Sequence, residues 1–138
     1  MDFSQQLVLI TGGSRGLGEA LTRSFVDQGA QVIVNYYQSE AKAKALAAEL
    51  GDNAIAIQGD VRKASDMKAL VQKGEAHFNN KVSTLVNNAL VNYKFDPAKN
   101  KNHETIKWQD YLAQLEGSLQ GALNSLQAVL PSMKELKF

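Results

Sequence analysis

The chain has no cysteine, so disulfides and thiolate metal sites are excluded. It has no apolar run near the roughly 18 residues that a membrane span needs. No charged leader with an apolar core precedes the first apolar stretch, which reads as a cytoplasmic protein with no membrane partner. An excess of one charge is also missing. Fifteen basic residues against fourteen acidic ones leave a formal charge of +1, so nothing favours bulk nucleic-acid or membrane attraction. What is present describes a folded globular chain: 44% of residues are hydrophobic and 21% are charged. At 138 residues the length suits one core, and residues 1–138 are read as one domain.

The most informative stretch is Thr11-Gly12-Gly13-Ser14-Arg15-Gly16-Leu17-Gly18, between the apolar run Leu7–Ile10 and a periodic stretch over 19–28. A buried strand feeding a glycine-rich turn that opens a helix makes an anion site. The first helical N–H groups lack intrahelical partners, and the helix dipole favours negative charge. A diphosphate fits there. Gly12, Gly16 and Gly18 serve the sharp turn, the approach of the ligand and the close packing of helix on strand.

The rest of the chain follows a strand–helix alternation. Leu17, Leu21, Phe25 and Val26 recur at helical spacing, and Gly29 stops that helix. A second strand is expected over Gln31 to Tyr36, which completes a right-handed βαβ unit. Dinucleotide sites place an acid near the end of this strand to hold the ribose hydroxyls. Here the strand ends Asn35-Tyr36-Tyr37-Gln38-Ser39, with no carboxylate. With Arg15 near enough to pair a 2′-phosphate, the preference leans to NADP over NAD.

A surface helix over 39–50 starts at Ser39 and stops at Gly51, a third strand covers Ala54 to Gln58, and a third helix runs from Ala64 to Phe78 with Ser65 as its cap. Lys81 to Val86 is the fourth strand and ends in Asn87-Asn88-Ala89-Leu90. Residues from Val91 to Glu104 read as a polar loop; His77 reads as a surface residue at the end of the third helix, and His103 has no partner at metal-ligand spacing. A long helix from Trp108 to about Glu135 carries a wide leucine stripe that must be covered by the sheet, another helix or another subunit, and Pro131 is expected to bend it near 127–131.

The glycine loop, Asp60-Val61, Asn87-Asn88-Ala89 and Pro131-Ser132-Met133 occur in an order that resembles the short-chain dehydrogenase/reductase family, in particular its 3-oxoacyl-[acyl-carrier-protein] reductase-like members. That resemblance implies that Asp60 and Val61 lie against the adenine and that the Asn-Asn-Ala element lines the nicotinamide-ribose side. It also puts Gly121 where the family often has glycine and Ser118 where the family usually has an asparagine of a proton relay. Leu90 replaces a family glycine. The candidate cofactor-binding residues are therefore Gly12, Ser14, Arg15, Gly16, Leu17, Gly18, Tyr36, Tyr37, Asp60, Val61, Asn87, Asn88 and Ala89.

The family's chemistry also uses a tyrosine with a lysine four residues on. Here Tyr36, Tyr37, Tyr93 and Tyr111 are followed at that spacing by Glu40, Ala41, Pro97 and Leu115, so no catalytic residue is assigned. The expectation is an α/β doubly wound parallel sheet of Rossmann type, four strands in order 3-2-1-4, with the C-terminal strands of the family lacking. It corresponds to the NADP-binding N-terminal portion of a carbonyl reductase that acts on a small or acyl-carrier-bound substrate and forms a homo-oligomer. The alternative is a dinucleotide-binding module without chemistry, or a structural remnant.

Overall fold

A computed structural model of the chain describes residues 2–90 and 102–137. Strands β1 (Leu7–Ile10), β2 (Gln31–Tyr36), β3 (Ala54–Gln58) and β4 (Val82–Val86) form one parallel sheet in the order β3-β2-β1-β4. Five helices accompany them among the described residues: α1 (Gly16–Asp27), α2 (Glu40–Leu50), α3 (Ala64–Phe78), α4 (Trp108–Leu115) and α5 (Gly121–Glu135). This is the doubly wound order expected from the alternation of apolar strands and helices.

All four residues of β1 are buried, as befits a parallel strand covered on both faces. Successive side chains point to opposite faces. Leu7 and Leu9 accordingly join Ile33, Met67, Leu70, Val82 and Val129 on the α3 and α5 side. Val8 and Ile10 join Val32, Val34 and Leu46 on the side of α1 and α2. The pairing of β1 with β4 slips between Leu7 and Val8, where Leu7 faces Val82 and Val8 faces Thr84. Ser83 fills the slip, with Oγ donating to the Leu7 carbonyl at 3.4 Å.

Several local expectations change. Leu17 is 70% exposed and leaves the apolar stripe of α1, because the helix already starts at Gly16 and turns that residue toward the loop side. Ser65 lies inside the first turn of α3. The cap position is Lys63, whose extended backbone makes no side-chain cap bond, and a hydroxyl already in helical geometry is badly placed to cap the turn it belongs to. Ser39 does occupy the cap position of α2, yet its hydroxyl makes no cap hydrogen bond. Strand β4 begins at Val82 rather than Lys81.

The long final helix is interrupted. A π-helical segment, Glu116–Gln120, joins α4 to α5, and the chain continues helically through Pro131 to Glu135. Among the described residues, neither the sheet nor another helix covers the leucines of the stripe. The helix buries Gly121, Asn124, Ser125, Val129 and Ser132, and leaves Leu119, Leu123, Leu126 and Leu130 exposed. The reason is closeness: a Cβ at Gly121 would stand 2.7 Å from Val61 Cγ2, so only a small-residue face fits against the cleft wall.

Candidate functional site

The site is built where the strands end. After Ile10 the chain turns through Gly12, at φ +63°, and Gly16, at φ +54°, then enters α1. A Cβ at Gly16 would meet nothing within 4 Å, so glycine there serves the left-handed backbone alone. Gly18 answers a different need. A Cβ there would collide with the Gly12 carbonyl and with Asn88 Nδ2, so the helix can start this close to the strand ends only without a side chain. Buried Thr22 holds the loop from below, its Oγ1 lying 2.9 Å from the Gly18 carbonyl oxygen and 3.1 Å from that of Gly13. The cap residue Arg15 makes no side-chain cap bond, which leaves the first N–H groups of α1 without a side-chain acceptor there.

Thr11 and Asn88 join the end of β1 to that of β4. Thr11 Oγ1 accepts from the backbone N–H of Asn88 and of Ala89, both at 3.0 Å, and donates to the Val86 carbonyl at 3.3 Å. Asn88 Nδ2 donates back to the carbonyls of Thr11 at 3.0 Å and Gly12 at 3.1 Å. On the other side, buried Asn35 joins three elements. Its Oδ1 accepts from Gly12 N–H at 3.3 Å, and its Nδ2 donates to the Gly59 carbonyl at 2.9 Å. The glycine loop is thereby fixed to both neighbouring strands before any ligand arrives, which lowers the ordering cost of binding.

Asp60, two residues beyond β3, is held in an ion pair with Arg62. Its Oδ1 accepts from the backbone N–H of Arg62 at 3.0 Å and from Arg62 Nε at 2.9 Å, and its Oδ2 accepts from Nη2 at 2.8 Å. The Arg62 hydrogen bonds hold the Asp60 carboxyl below its usual range, and the same bonds raise Arg62. The Arg62 guanidinium also lies over the ring of Tyr37, 5.4 Å from its centroid.

These elements enclose a cleft of about 470 Å³. Of the thirteen residues singled out in the sequence, Gly12, Ser14, Arg15, Gly16, Leu17, Gly18, Tyr36, Tyr37, Asp60, Val61, Asn88 and Ala89 all line it. Asn87 does not. It lines an adjoining cavity of about 160 Å³ with Thr11, Gly117, Ser118, Gly121 and Ala122, and Val61, Asn88, Ala89 and Leu90 are shared between the two. Asn124 Nδ2 donates to the Val61 carbonyl at 2.9 Å, which ties α5 to the shared wall. Ser118 Oγ donates to the Gln114 carbonyl at 2.6 Å. Leu90, at the far end, is 71% exposed.

The expected loop lies outside the described residues from Val91 to Lys101, and with it Tyr93. His103 lies in an exposed turn and His77 is exposed near the end of α3. Sequence reasoning missed Arg62, Asn35 and Thr22 as parts of the site. Arg62 carried a usable signal, since an aspartate two residues before it is the pattern of an Asx turn, in which the carboxylate reaches the backbone two residues on. Asn35 was legible only as a polar residue in an apolar strand.

The short chain dehydrogenase family profile matches residues 6–137. The chain is 34% identical over 135 residues to the L-fucose dehydrogenase of Rattus norvegicus, covering 98% of this chain and 47% of that protein. It is 33% identical over 128 residues to a 3-oxoacyl-[acyl-carrier-protein] reductase of Staphylococcus epidermidis, covering 91% and 50%. Among solved structures, the 3-ketoacyl-(acyl-carrier-protein) reductase of Brucella melitensis complexed with NADH superposes with a TM-score of 0.84. That match has 29% identity and covers 96% of this chain and 52% of the other. The chain thus spans about half the length of these relatives.

Proposed function

The chain belongs to the short-chain dehydrogenase family, and from that premise we propose that it provides the NADP-binding half of a carbonyl reductase of the 3-oxoacyl-carrier-protein reductase type. The observation that carries this reading is the cleft itself. A glycine loop with a left-handed turn at Gly16 and a close approach at Gly18 leads into the start of α1, and Arg15 lines the same cleft as a β2 end that has no carboxylate between Asn35 and Ser39. A diphosphate takes the N–H groups at the start of α1. Arg15 takes the 2′-phosphate of the adenosine ribose by charge-assisted hydrogen bonds. Tyr36, Tyr37, Asp60 and Val61 bound the adenosine side, and Asn87, Asn88 and Ala89 the nicotinamide-ribose side. When bound, the nicotinamide supplies a hydride to a carbonyl carbon.

The residues of this chain bind and orient. They include no Tyr-x-x-x-Lys pair to hand a proton to the carbonyl oxygen. We therefore assign the chain no turnover of its own, and a small-molecule or acyl-carrier-bound carbonyl as the substrate of the reaction it serves. The exposed leucine face of α5 supports assembly as a homo-oligomer. The test is titration of the purified chain with NADPH and NADH, followed by nicotinamide fluorescence. Micromolar NADPH binding, tighter than NADH and without turnover, is expected. No binding at millimolar ligand would refute the reading.

Two observations favour a second reading, a dinucleotide-binding module without chemistry. Leu90 stands exposed where the family has glycine, and the Ser118 hydroxyl is spent on the Gln114 carbonyl where the family has a relay asparagine. A longer form of the protein that binds NADPH and reduces no 3-oxoacyl thioester would select it.

A further inference from the structure

Arg15 lines the cleft, and among the described residues its side chain makes no ion pair. A carboxylate stands one helical turn away. Arg15 is the cap residue of α1, Glu19 lies in the first turn, and the Glu19 backbone N–H donates to the Arg15 carbonyl at 3.2 Å. Glu19 nevertheless pairs in the other direction along the helix. Its Oε1 accepts from Arg23 Nε at 3.2 Å and from Arg23 Nη2 at 2.9 Å. The same guanidinium reaches α2, where Nη1 and Nη2 donate to the two carboxylate oxygens of Glu49 at 2.6 Å and 2.9 Å.

Resting on the dinucleotide reading above, we infer that Arg23 is a positioning residue, which engages the Glu19 carboxylate and so leaves Arg15 free for the 2′-phosphate. Two demands meet on the first turn of α1. A carboxylate there complements the positive end of the helix dipole, which favours Glu19. An anion site at the same helix end is opposed by it, because Glu19 competes with a phosphate for Arg15 and repels the phosphate as well. Arg23 satisfies both demands. An acid four residues before a base is the better order on a helix, and Glu19 with Arg23 has that order, whereas Arg15 with Glu19 has the reverse. The two-point contact with Glu49 also fixes the guanidinium before any ligand arrives. The side chains of Arg23, Glu19 and Glu49 are 36%, 37% and 61% exposed, so the effect on Arg15 must weaken as salt is added.

The experiment is calorimetric titration with NADPH and NADH of the purified wild-type chain, of Arg23→Ala, and of Arg23→Ala combined with Glu19→Gln. At about 0.01 M salt, Arg23→Ala is expected to weaken NADPH by about threefold to tenfold and NADH by less than about twofold, a difference that fades toward about 1 M salt. Adding Glu19→Gln is expected to return NADPH to within about twofold of wild type. This rescue separates the inference from a purely structural role, because a substitution at Glu19 cannot restore a lost tie between α1 and α2. If Arg23→Ala does not fold, Arg23→Gln keeps much of the side chain, loses the charge and carries the same expectation. Unchanged NADPH affinity in the Arg23 variant, equal losses for the two ligands, or a loss that Glu19→Gln does not relieve would overturn the inference and leave the dinucleotide reading standing. A wild-type chain that binds neither ligand refutes that reading, and the inference with it.

Discussion

Asn124 on α5 donates from Nδ2 to the carbonyl of Val61 at 2.9 Å, with a glycine, Gly121, one turn before it in contact range of the Val61 side chain. The outer helix and the cleft wall are one unit through this bond. Asn124→Ala leaves a buried carbonyl without its donor, which costs about 1–3 kcal/mol. The expected result is a lower urea midpoint with an unchanged denaturant slope, and an unchanged midpoint would show that the bond contributes nothing.

The two glycines at the start of α1 differ in kind, and alanine separates them. Gly16→Ala meets open space and carries only the strain of a positive φ, about 1–2 kcal/mol. Gly18→Ala must displace the Gly12 backbone or Asn88, and both belong to the loop. Thermal unfolding and dinucleotide titration are expected to show Gly16→Ala destabilised but binding, and Gly18→Ala without binding. Equal binding in both variants would contradict the close-approach account.

Arg15 is the proposed 2′-phosphate partner, so Arg15→Ala is expected to weaken NADPH more than NADH. A charge-assisted contact of about 1.5–3 kcal/mol corresponds to about tenfold to a hundredfold in affinity. Equal losses for the two ligands would make Arg15 a loop-shaping residue.

The sheet was readable in the sequence because parallel strands buried on both faces appear as short apolar runs, and glycines or cap residues bound the helices between them. Val32-Ile33-Val34 and Ala54-Ile55-Ala56-Ile57 therefore gave β2 and β3 their observed limits. The site was readable where a residue type has a backbone consequence, as in the glycine loop. It was not readable where the consequence depends on a partner far along the chain. The contact of Asn124 with Val61 spans 63 positions, and no local pattern announces it. The last helix was readable only in part, for a related reason. Periodicity identifies an apolar stripe but not which face the sheet accepts, and here the small residues win because Val61 leaves no room for larger ones.

Acid is expected to reveal the Asp60–Arg62 pair. The folded-state pKa of Asp60 lies below its ordinary 3.8. A carboxylate lowered in this way contributes stability that is present above the ordinary value and is lost as pH falls through the folded one. Arg62→Gln removes the main cause of the lowering. The stability gap between wild type and variant, from urea unfolding at a series of pH values, is expected to be constant near neutrality and to shrink below pH 3.8. A gap that persists at lower pH would assign the effect to packing instead.

A leucine face that runs from the π-helical segment into α5 is left uncovered among the described residues. Leu119, Leu123, Leu126 and Leu130 are 66%, 52%, 44% and 38% exposed, and they follow one another at helical spacing on the side away from the sheet. A second uncovered feature lies nearby. Among the described residues β4 pairs only with β1, so its outer edge has unpaired backbone groups of the kind that invite another chain. Fully covering a leucine is worth about 1.5–3 kcal/mol, so a row of four half-exposed leucines gives a strong drive to associate, against a rigid-body cost of at least about 4 kcal/mol. We expect the purified chain to sediment as a dimer or larger at low micromolar concentration. Leu119→Glu with Leu123→Glu is expected to return it to a monomer with an unchanged circular dichroism spectrum, since neither side chain is buried in the fold. An oligomer that survives both substitutions would place the contact at the β4 edge, and a wild-type monomer would remove the idea of association altogether.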